Sequence, residues 1–187
     1  MPILAREVDV FPEDLLIRDH SCGDGEIRWW AVYTRSRQEK ELMRCLHAME
    51  ISYYCPIIPH RFRSPAGRVR TSYIPLFSNY VFMNCDGSDR YRALQTNVIS
   101  QTLEVQNGLE LTRDLRQIQR LIQLGAPMSL EARLQPGAPV RITQGPLKGL
   151  EGVVVKRFHE SYLFVAVNFL QQGASVKLED YEVKSIE

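Results

Sequence analysis

A glycine-rich loop between two short β-branched runs constrains the C-terminal half of the chain more than any other feature. Residues 140–156 read VRITQGPLKGLEGVVVK, in which Val140 and Ile142 alternate with polar residues, as in a half-buried strand. The loop after this strand contains Gly145, Pro146, Leu147, Lys148 and Gly149. Glycine adopts positive φ at little steric cost and proline fixes its own φ, so we expect a tight, rigid loop. The valines that follow then begin a second strand.

More short strands are predicted after this loop. Residues 162–169, 174–178 and 181–186 are apolar or alternating, and turn residues separate them. Five strands in roughly fifty residues are typical of a compact SH3-like barrel. A generic structural β-module would have the same strand pattern, and the strands alone do not distinguish the two.

Length and composition limit the class of protein. The 187 residues give room for one large or two small domains, and 44% of them are hydrophobic, which is enough for ordinary cores. No run of about eighteen apolar residues exists that could span a membrane. The N-terminus has acids where a signal peptide needs a basic region followed by an apolar run, so we expect a cytoplasmic protein.

The cysteines give no indication of a metal site. They are Cys22, Cys45, Cys55 and Cys85. None forms a C-x-x-C pair, and none has zinc-finger spacing with a histidine. We expect free thiols, no metal and no cofactor.

The formal net charge of +1 conceals a segregation of charge along the chain. Residues 1–27 hold two basic and seven acidic side chains, which gives −5. Residues 28–125 hold fourteen basic and eight acidic ones, giving +6, and residues 134–187 hold six of each, giving zero. A basic middle region suits a partner that presents phosphates or an acidic protein face. The neutral C-terminal region is expected to bind a protein.

The middle region has the pattern of a mixed α/β domain. Residues 29–34 and 80–84 are aromatic and β-branched and predict strands, with a weaker strand at 101–105 before an Asn-Gly turn. Residues 51–58 are predicted to be extended, but Pro56 and Pro59 argue against a central strand.

Two helices are predicted between and after these strands. Ser36 and Glu39 form a capping box that would start a helix with Leu42, Cys45, Leu46 and Met49 on one face. Thr112 is predicted to cap the last helix. The order of elements predicts an α+β sandwich with helices on one side of an antiparallel sheet, joined to a small C-terminal SH3-like β-barrel.

One segment is strongly basic. Residues 60–71, HRFRSPAGRVRT, contain four arginines and no acid, with turn residues at the centre. The arginines are Arg61, Arg63, Arg68 and Arg70. We expect them on the two arms of an exposed hairpin or loop, where guanidinium groups can bind phosphates bidentately. A solvated loop with no partner is the alternative.

A second segment is rich in aromatic residues. Residues 73–83, YIPLFSNYVFM, place Phe77, Tyr80 and Phe82 near one another. Aromatics at this spacing are usually part of a core. Pro75 and Ser78 interrupt the strand, however, and could leave an edge where the aromatics line a pocket for a partner helix.

These motifs together resemble the NusG family of transcription elongation factors. WWAVYTRSRQ at residues 29–38, the helix after it, PLFSNY at 75–80 and the GPLKG loop, which is similar to a KOW motif, occur in the family's order. The Asn-Tyr pair resembles specialised RfaH-like or UpxY-like paralogues. The resemblance covers about residues 28–187 and implies an NGN domain at 28–125, a linker at 126–136 and a KOW barrel at 137–187. Residues 1–27 precede these domains as an acidic arm.

The resemblance also implies roles for particular residues. Family members bind the clamp helices of RNA polymerase through an aromatic pocket, whose positions here are Tyr33, Phe77, Tyr80 and Phe82. Arg35 and Arg37 match a basic face that meets non-template DNA in specialised members. Arg92 matches an element near the polymerase's opposite pincer.

In the KOW barrel, family members bind Rho or a ribosomal protein through one turn. That turn here contains Phe169, Leu170, Gln171 and Gln172. It departs from the aromatic-and-arginine turn of the general factor, which disfavours Rho and favours a paralogue.

The first 27 residues have no counterpart in the family pattern. Their acids and lack of periodicity predict a flexible arm. The alternative is that the arm docks on the domain through its apolar residues, which are Val8, Val10, Phe11, Leu15, Leu16 and Ile17. The linker would let the two domains move independently.

The predicted function is that of a specialised NusG-like elongation or antitermination factor, a monomer with no membrane contact. No G-x-S-x-G or nucleotide-binding loop is present, so we do not expect an enzyme. A stand-alone KOW-type RNA-binding or ribosome-associated protein is the alternative. The neutral charge of the C-terminal region argues against it.

Overall fold

The computed structural model describes residues 7–17, 27–63, 67–125, 128–131, 137, 139–157, 160–178 and 183–185. It divides into two compact units, Met1–Gly108 and Leu109–Glu187. Within the part of the chain that is described, no helix is both long and apolar enough to cross a membrane.

The first unit is a mixed α/β structure. Its elements in chain order are β1 (Val10–Phe11), β2 (Arg28–Thr34), α1 (Glu39–Ala48), β3 (Ser52–Tyr54), β4 (Ile57–Arg63), β5 (Val69–Pro75), β6 (Tyr80–Cys85), α2 (Gly87–Leu94) and β7 (Ile99–Glu104). Five strands form one sheet in the order β1-β3-β6-β2-β7, and every pair is antiparallel. The strands predicted at 29–34, 80–84 and 101–105 are confirmed.

Alternation along the strands gives this sheet two different faces. On one face Val32, Val81 and Met83 pack in a buried cluster with Leu42 and Leu46 of α1, and α2 adds Ala93. The prediction of an antiparallel sheet with helices on one side is confirmed for α1 and α2. The opposite face carries aromatic side chains from β2, β3 and β6.

The first helix begins later than the capping box predicted. Gln38 is the N-cap residue, without a side-chain cap hydrogen bond, and α1 starts at Glu39. Arg37 has a φ of 60°, which is a left-handed conformation. An α-helix therefore cannot run continuously from Ser36 through Arg37 into α1. Instead of closing a capping box, the Glu39 carboxylate accepts a hydrogen bond from a distant backbone amide. Of the predicted apolar face, Leu42 and Leu46 are buried, and Cys45 and Met49 are half-buried.

The N-terminal arm docks on the sheet over residues 7–17. Strand β1 pairs with β3, and the Asp9 carbonyl oxygen accepts a hydrogen bond from the Cys55 amide at 2.7 Å. Glu7 forms an ion pair with Arg44 at 2.9 Å. Leu15 and Leu16 are buried, whereas Ile17 is exposed. Residues 7–17 therefore form a docked segment and not a flexible arm, since they pair with β3 and bury Leu15 and Leu16.

The arginine-rich segment forms a separate two-stranded hairpin. Strands β4 and β5 pair from Ile57 opposite Pro75 to Arg63 opposite Val69. The predicted hairpin is confirmed, and the turn residues 64–66 lie outside the described residues.

The prediction that residues 51–58 supply no central strand is wrong for Ser52–Tyr54, because β3 lies inside the main sheet and pairs with both β1 and β6. Pro56 and Pro59 come after β3 and therefore remove none of its hydrogen bonds.

The second unit combines one helix with a six-stranded sheet. Its elements are α3 (Gly108–Gln123), β8 (Met128–Glu131), β9 (Pro139–Ile142), β10 (Glu151–Arg157), β11 (Glu160–Val167), a 3-10 helix (Asn168–Leu170), β12 (Gln172–Leu178) and β13 (Val183–Ser185). The strand order is β13-β9-β10-β11-β12-β8. Five of these strands match the five predicted ones. Between the described parts of the two end strands no pairing closes the sheet, so the predicted closed barrel is not shown.

The division of the chain differs from the predicted boundaries at two places. Helix α3 starts at Gly108, four residues before the predicted cap at Thr112, which is buried inside the helix. Almost all of α3 groups with the second unit, although the sequence assigned residues 28–125 to the first domain. Within the predicted linker at 126–136, Met128–Glu131 pairs with β12 as a strand. Hydrogen bonding to the sheet edge therefore orders part of that segment.

Candidate functional sites

An exposed pair of tyrosines lies on the aromatic face of the first sheet. Tyr33 of β2 and Tyr80 of β6 are directly paired across the strands, with ring centroids 5.2 Å apart and an edge-to-face angle of 68°. Tyr33 is 37% exposed and Tyr80 is half-buried. Edge-to-face contact fixes both rings without covering them. The pair therefore presents a preformed aromatic surface with two hydroxyl groups.

The other two predicted aromatic contacts are buried. Phe77 and Phe82 have no exposed surface and pack edge to face, with ring centroids 6.4 Å apart. Phe82 also pairs across the sheet with Tyr54, which is buried as well. In this conformation Phe77 and Phe82 cannot touch a partner, because neighbouring side chains already surround them. Their burial does not fit the predicted direct contact with a partner.

Glu39 holds the turn that leads into Tyr80. This carboxylate is only 8% exposed, and its Oε1 accepts a hydrogen bond from the Asn79 backbone amide at 2.7 Å. Asn79 has a φ of 67°, in the left-handed region that asparagine tolerates better than most residues. The Asn79 carbonyl oxygen in turn accepts a hydrogen bond from the Thr34 amide at 2.8 Å. Helix α1, the turn and strand β2 are thereby tied together beside the tyrosine pair.

The predicted DNA-facing arginines Arg35 and Arg37 lie in the turn before α1 rather than at its start. Both are exposed, and the Arg35 amide donates to the Val98 carbonyl oxygen at 2.8 Å, which anchors the turn. Arg92 lies on α2, where it forms an ion pair with Asp89 at 2.7 Å. Part of its charge is thus compensated within its own helix.

The hairpin arginines are exposed but do not share one face. Arg61 and Arg63 are two residues apart on β4 and point to one side of the hairpin. Arg70 pairs with Phe62, so both point to the other side, where the Phe62 ring stacks near His60 with centroids 6.1 Å apart. Arg68 precedes β5 and is also exposed. One side of the hairpin therefore carries the guanidinium groups of Arg61 and Arg63. The other side carries that of Arg70 together with the rings of Phe62 and His60.

The predicted tight loop of the second unit is confirmed between β9 and β10. Gly145 and Gly149 have φ values of 83° and 86°. The Gly149 amide donates to the Ile142 carbonyl oxygen at 2.8 Å, and the Lys148 amide donates to the Gly145 carbonyl oxygen at 3.1 Å. Leu147 is buried and Lys148 is exposed, so the loop is closed by its own backbone and anchored by one apolar side chain.

Helix α3 holds the predicted partner-binding turn between β11 and β12. The Asn168 backbone amide donates to Asp114 Oδ2 at 2.9 Å, and Asn168 Nδ2 donates to Glu110 Oε1 at 3.1 Å. Burial raises the pKa of Asp114 to about 6, and nearby Glu110 adds to this rise, whereas the Asn168 hydrogen bond and Arg113 oppose it. The turn itself is a short 3-10 helix followed by Gln171 in a left-handed conformation. Phe169 and Leu170 are half-buried and Gln171 is exposed.

The same helix contacts the glycine-rich loop through its other end. Gln117 Oε1 accepts a hydrogen bond from the Glu151 amide at 2.7 Å, and Arg120 donates to the Lys148 carbonyl oxygen. A cavity of about 510 Å³ lies between helix and sheet. Its lining consists of Arg113, Arg116, Gln117, Arg120, Arg141, Gly149, Leu150 and Glu151.

The described cysteines, Cys45, Cys55 and Cys85, are free thiols. Burial raises the pKa of Cys55, and it raises that of Cys85 to about 12, so both thiols are protonated at neutral pH. Cys45 is half-buried, and Cys22 lies outside the described residues. Over the described ranges, no group of three or more His, Cys, Asp or Glu side chains is arranged to hold a metal ion.

Comparison with known protein families identifies the chain. The family model described as "NusG: Transcription termination factor nusG" matches residues 27–134, which is more than half of the 187 residues. This chain belongs to the NusG family. The matched region includes the aromatic face, the arginine hairpin and α3, and it ends before the GPLKG loop. Its NusG membership makes the chain a transcription factor of the elongation and termination class.

The other comparisons add less. The NusG-family chain is similar to a chain in the solved structure described as "Crystal Structure of MjSpt4:Spt5 complex conformation B". The identity is 15%, with 85% of this chain and 98% of that chain covered, and the TM-score is 0.27. A TM-score this low carries no argument about the fold. No curated protein matches the chain.

Sequence reasoning missed three residues that organise these sites. Glu39 was assigned to a capping box, and only the fold shows that its carboxylate holds Asn79. Asp114 and Asn168 are far apart in sequence, and no local pattern connects them. The basic side of α3 did leave a signal, because arginines at 113, 116 and 120 repeat with helical spacing.

Proposed function

We propose that this NusG-family chain is a specialised paralogue of the RfaH-like or UpxY-like kind that binds RNA polymerase and changes elongation or termination. The observation that carries the proposal is the exposed Tyr33–Tyr80 pair within the family-matched region. We propose that it works by binding and not by catalysis.

The tyrosine pair has the properties of an interface anchor. Aromatic side chains that are rigid before binding lose little conformational entropy, and tyrosine is enriched among residues that dominate binding energy. The Glu39–Asn79 hydrogen bond and the buried Phe77–Phe82 contact fix the backbone beneath the pair. A partner helix could pack across both rings while its polar groups bond the two hydroxyls.

The second unit is proposed to be an SH3-like KOW module that recruits a protein. Its strands, its GPLKG loop and the neutral charge of residues 134–187 support this proposal. The turn at Phe169–Gln172 is the proposed contact, and a ribosomal protein fits it better than Rho because the turn lacks an arginine.

Polymerase binding is tested by comparing three aromatic variants. Tyr33→Ala and Tyr80→Ala should each weaken binding of the full chain to core RNA polymerase by about tenfold or more, the range of an interface anchor. His47→Ala is the control, since His47 is exposed on α1, which packs on the other face of the sheet. Equal affinities for all three variants and the wild type would remove the tyrosine pair from the interface.

The arginine hairpin is proposed to contact nucleic acid next to the polymerase. Two double variants separate its arginines: Arg61→Ala with Arg63→Ala, and Arg68→Ala with Arg70→Ala. The double variant that removes phosphate contacts should bind an elongation complex more weakly than the wild type. The slope of log K against log salt concentration should also become shallower, by roughly 0.7–0.9 per lost contact. The other pair removes the same charge and serves as its control. Unchanged affinity and salt slope in both would leave the hairpin a solvated surface.

The alternative, a stand-alone RNA-binding or ribosome-associated protein, makes a different prediction. It requires salt-dependent binding to naked RNA with no need for polymerase. A pull-down from native cytoplasm distinguishes the two. Recovery of polymerase subunits supports the proposal, and recovery of ribosomal RNA without polymerase supports the alternative.

A further inference from the structure

The outer half of the β4–β5 hairpin is exposed on both of its sides. Every residue described from 59 to 63 and from 67 to 70 is exposed. The inner end is anchored, because Ile57 is buried and the Leu76 amide donates to the Pro56 carbonyl oxygen at 2.7 Å. A partner can therefore reach the side chains of the outer half while the core of the first unit stays packed.

One side of this outer half carries two neighbouring rings. His60 and Phe62 are two residues apart on β4, so their side chains point to the same side. Their rings are nearly parallel, with centroids 6.1 Å apart and an angle of 21° between the planes. Phe62 is 42% exposed, and His60 is exposed as well. The two rings therefore offer flat surface to a ligand in solution.

A guanidinium group lies beside the rings. Arg70 is directly opposite Phe62 in the hairpin, which makes the two side chains neighbours on this side. Residues 60–71 contain no acid. Within the part of the chain that the structure describes, none of the four hairpin arginines forms an ion pair. The charge of Arg70 is thus available to an anion that lies next to the rings.

Flat rings beside a free cation suit the two parts of a nucleotide. An aromatic side chain on an exposed β-surface can stack a base, and an arginine next to it can bind the phosphate bidentately. In a duplex the faces of each base are covered by neighbouring bases, whereas a single strand can expose them. The arrangement therefore favours an unpaired strand over a duplex.

We propose that the ring side of the hairpin, formed by His60, Phe62 and Arg70, binds unpaired bases of a single-stranded nucleic acid. One base stacks on Phe62 and a neighbouring base on His60, while Arg70 binds a phosphate of the same strand. This inference rests on the proposed contact of the hairpin with nucleic acid, and it adds the side that binds and the kind of strand that is bound. The strand can be DNA or RNA, since both expose bases and phosphates.

The test is fluorescence anisotropy of labelled strands titrated with the full chain. The probes are oligothymidylate and oligouridylate of about twelve nucleotides, within the range of short single-strand sites, and a DNA duplex of the same length. The wild type should bind at least one single strand more tightly than the duplex. Phe62→Leu keeps an apolar side chain but removes the ring, and it should bind that strand at least about fivefold more weakly, as expected for the loss of one stacked base.

The dependence of affinity on salt separates stacking from charge. Phe62 carries no charge, so Phe62→Leu should leave the slope of log K against log salt concentration unchanged. Arg70→Gln should make that slope shallower by roughly 0.7, the value for one phosphate contact to a single strand. Tighter binding of oligothymidylate identifies DNA as the preferred strand, and tighter binding of oligouridylate identifies RNA.

Two control variants test whether a change in affinity reflects the ring itself. Phe62→Tyr restores a ring and should bind within about twofold of the wild type, since either ring can stack a base. Val69→Ala removes an exposed apolar side chain from the opposite side of the same hairpin, where Val69 is directly opposite Arg63. It should also bind within about twofold of the wild type. Equal weakening by Phe62→Leu and Val69→Ala would indicate damage to the hairpin and would overturn the proposal.

The outcomes distinguish this proposal from the more general nucleic-acid contact. If Phe62→Leu binds as the wild type does while Arg70→Gln binds more weakly, the hairpin contacts phosphates and only the stacking is overturned. If no strand binds at about 0.1 mM protein, the weak end of non-specific affinities, the direct contact with nucleic acid fails as well. Full affinity of Phe62→Leu for single strands, with weaker binding to core polymerase, would assign the ring side to a protein partner and overturn the proposal.

A measurement on the wild type avoids any effect of mutation on folding. The ring proton resonances of Phe62 and His60 should move upfield when a single strand is added, because a stacked base places them in its ring current. The duplex should leave these resonances in place. Ring resonances that stay in place with every bound single strand would contradict stacking on this side of the hairpin.

Discussion

Replacing Glu39 should destabilise the first unit more than its position in the first turn of a helix suggests. Its buried carboxylate accepts a hydrogen bond from the Asn79 backbone amide, with a distance of 2.7 Å between Oε1 and the amide nitrogen. Glu39→Ala would leave that amide without its acceptor in a place that water barely reaches. Hydrogen bonds to charged groups contribute about 1.5–3 kcal/mol.

Two smaller effects adjust this magnitude. A carboxylate in the first turn of a helix contributes about 0.3–1 kcal/mol through the helix dipole, and this is lost as well. Alanine regains about 0.4 kcal/mol through its higher helix propensity. We therefore expect Glu39→Ala to lower the free energy of unfolding by about 2–3 kcal/mol. Glu39→Gln keeps an acceptor without the charge, and its cost should be about 1 kcal/mol.

Urea denaturation followed by tryptophan fluorescence measures this change. The chain has two tryptophans, Trp29 and Trp30, and both are in β2 of the first unit, so the signal reports that unit alone. Glu41→Ala is the control, since Glu41 is in the same helical turn but forms only an exposed ion pair with Arg44. It should cost less than about 0.5 kcal/mol. If Glu39→Ala and Glu41→Ala unfold at the same urea concentration, Glu39 does not hold the turn as we describe.

Two further predictions concern the second unit. The pKa of Asp114 is raised to about 6 in the folded chain, so the folded state binds this proton more tightly than the unfolded state does. The resulting stabilisation is present below pH 3.8 and is lost as pH rises to about 6. Asp114→Asn should keep the Asn168 hydrogen bond but abolish this part of the pH dependence, which thermal melts by circular dichroism at several pH values measure. Parallel pH profiles for wild type and variant would show that Asp114 does not contribute in this way. Gly152→Ala should destabilise the second unit by more than about 2 kcal/mol, because a Cβ there would lie 2.3 Å from the Phe164 carbonyl oxygen. Gly87→Ala is the control, because a Cβ at Gly87 would meet nothing within 4 Å. Similar melting temperatures for the two variants would refute the close packing at Gly152.

The strands of both units could be predicted because their signals are local. β-branched and aromatic runs at 29–34 and 80–84, and the glycine-rich loop between two alternating runs, are visible in short windows. The hairpin was predictable for the same reason, since turn residues separate two extended arms. Local patterns also predicted the positive φ of Gly145 and Gly149.

The wrong predictions concern features that depend on contacts between residues far apart in the sequence. Phe77 and Phe82 match the family's aromatic positions, but only the folded structure shows that both are buried, whereas Tyr33 is exposed and Tyr80 is half-buried. The capping box failed because Arg37 adopts a left-handed conformation and Glu39 has a tertiary partner. The hydrogen bonds of α3 to Asn168 and Glu151 could not be predicted either, because they cross more than thirty residues of sequence.

Site-specific photo-cross-linking tests the central claim, polymerase binding through the tyrosine pair, most directly. A benzophenone amino acid replaces Tyr33 in one sample and Ala48 in another, and each chain is irradiated with a stalled elongation complex. We expect a cross-link to a polymerase subunit from position 33, which lies on the aromatic face, and none from position 48 on α1, which packs on the other face of the sheet. A cross-link from position 48 alone, or from neither position while the chain remains bound, would contradict this assignment.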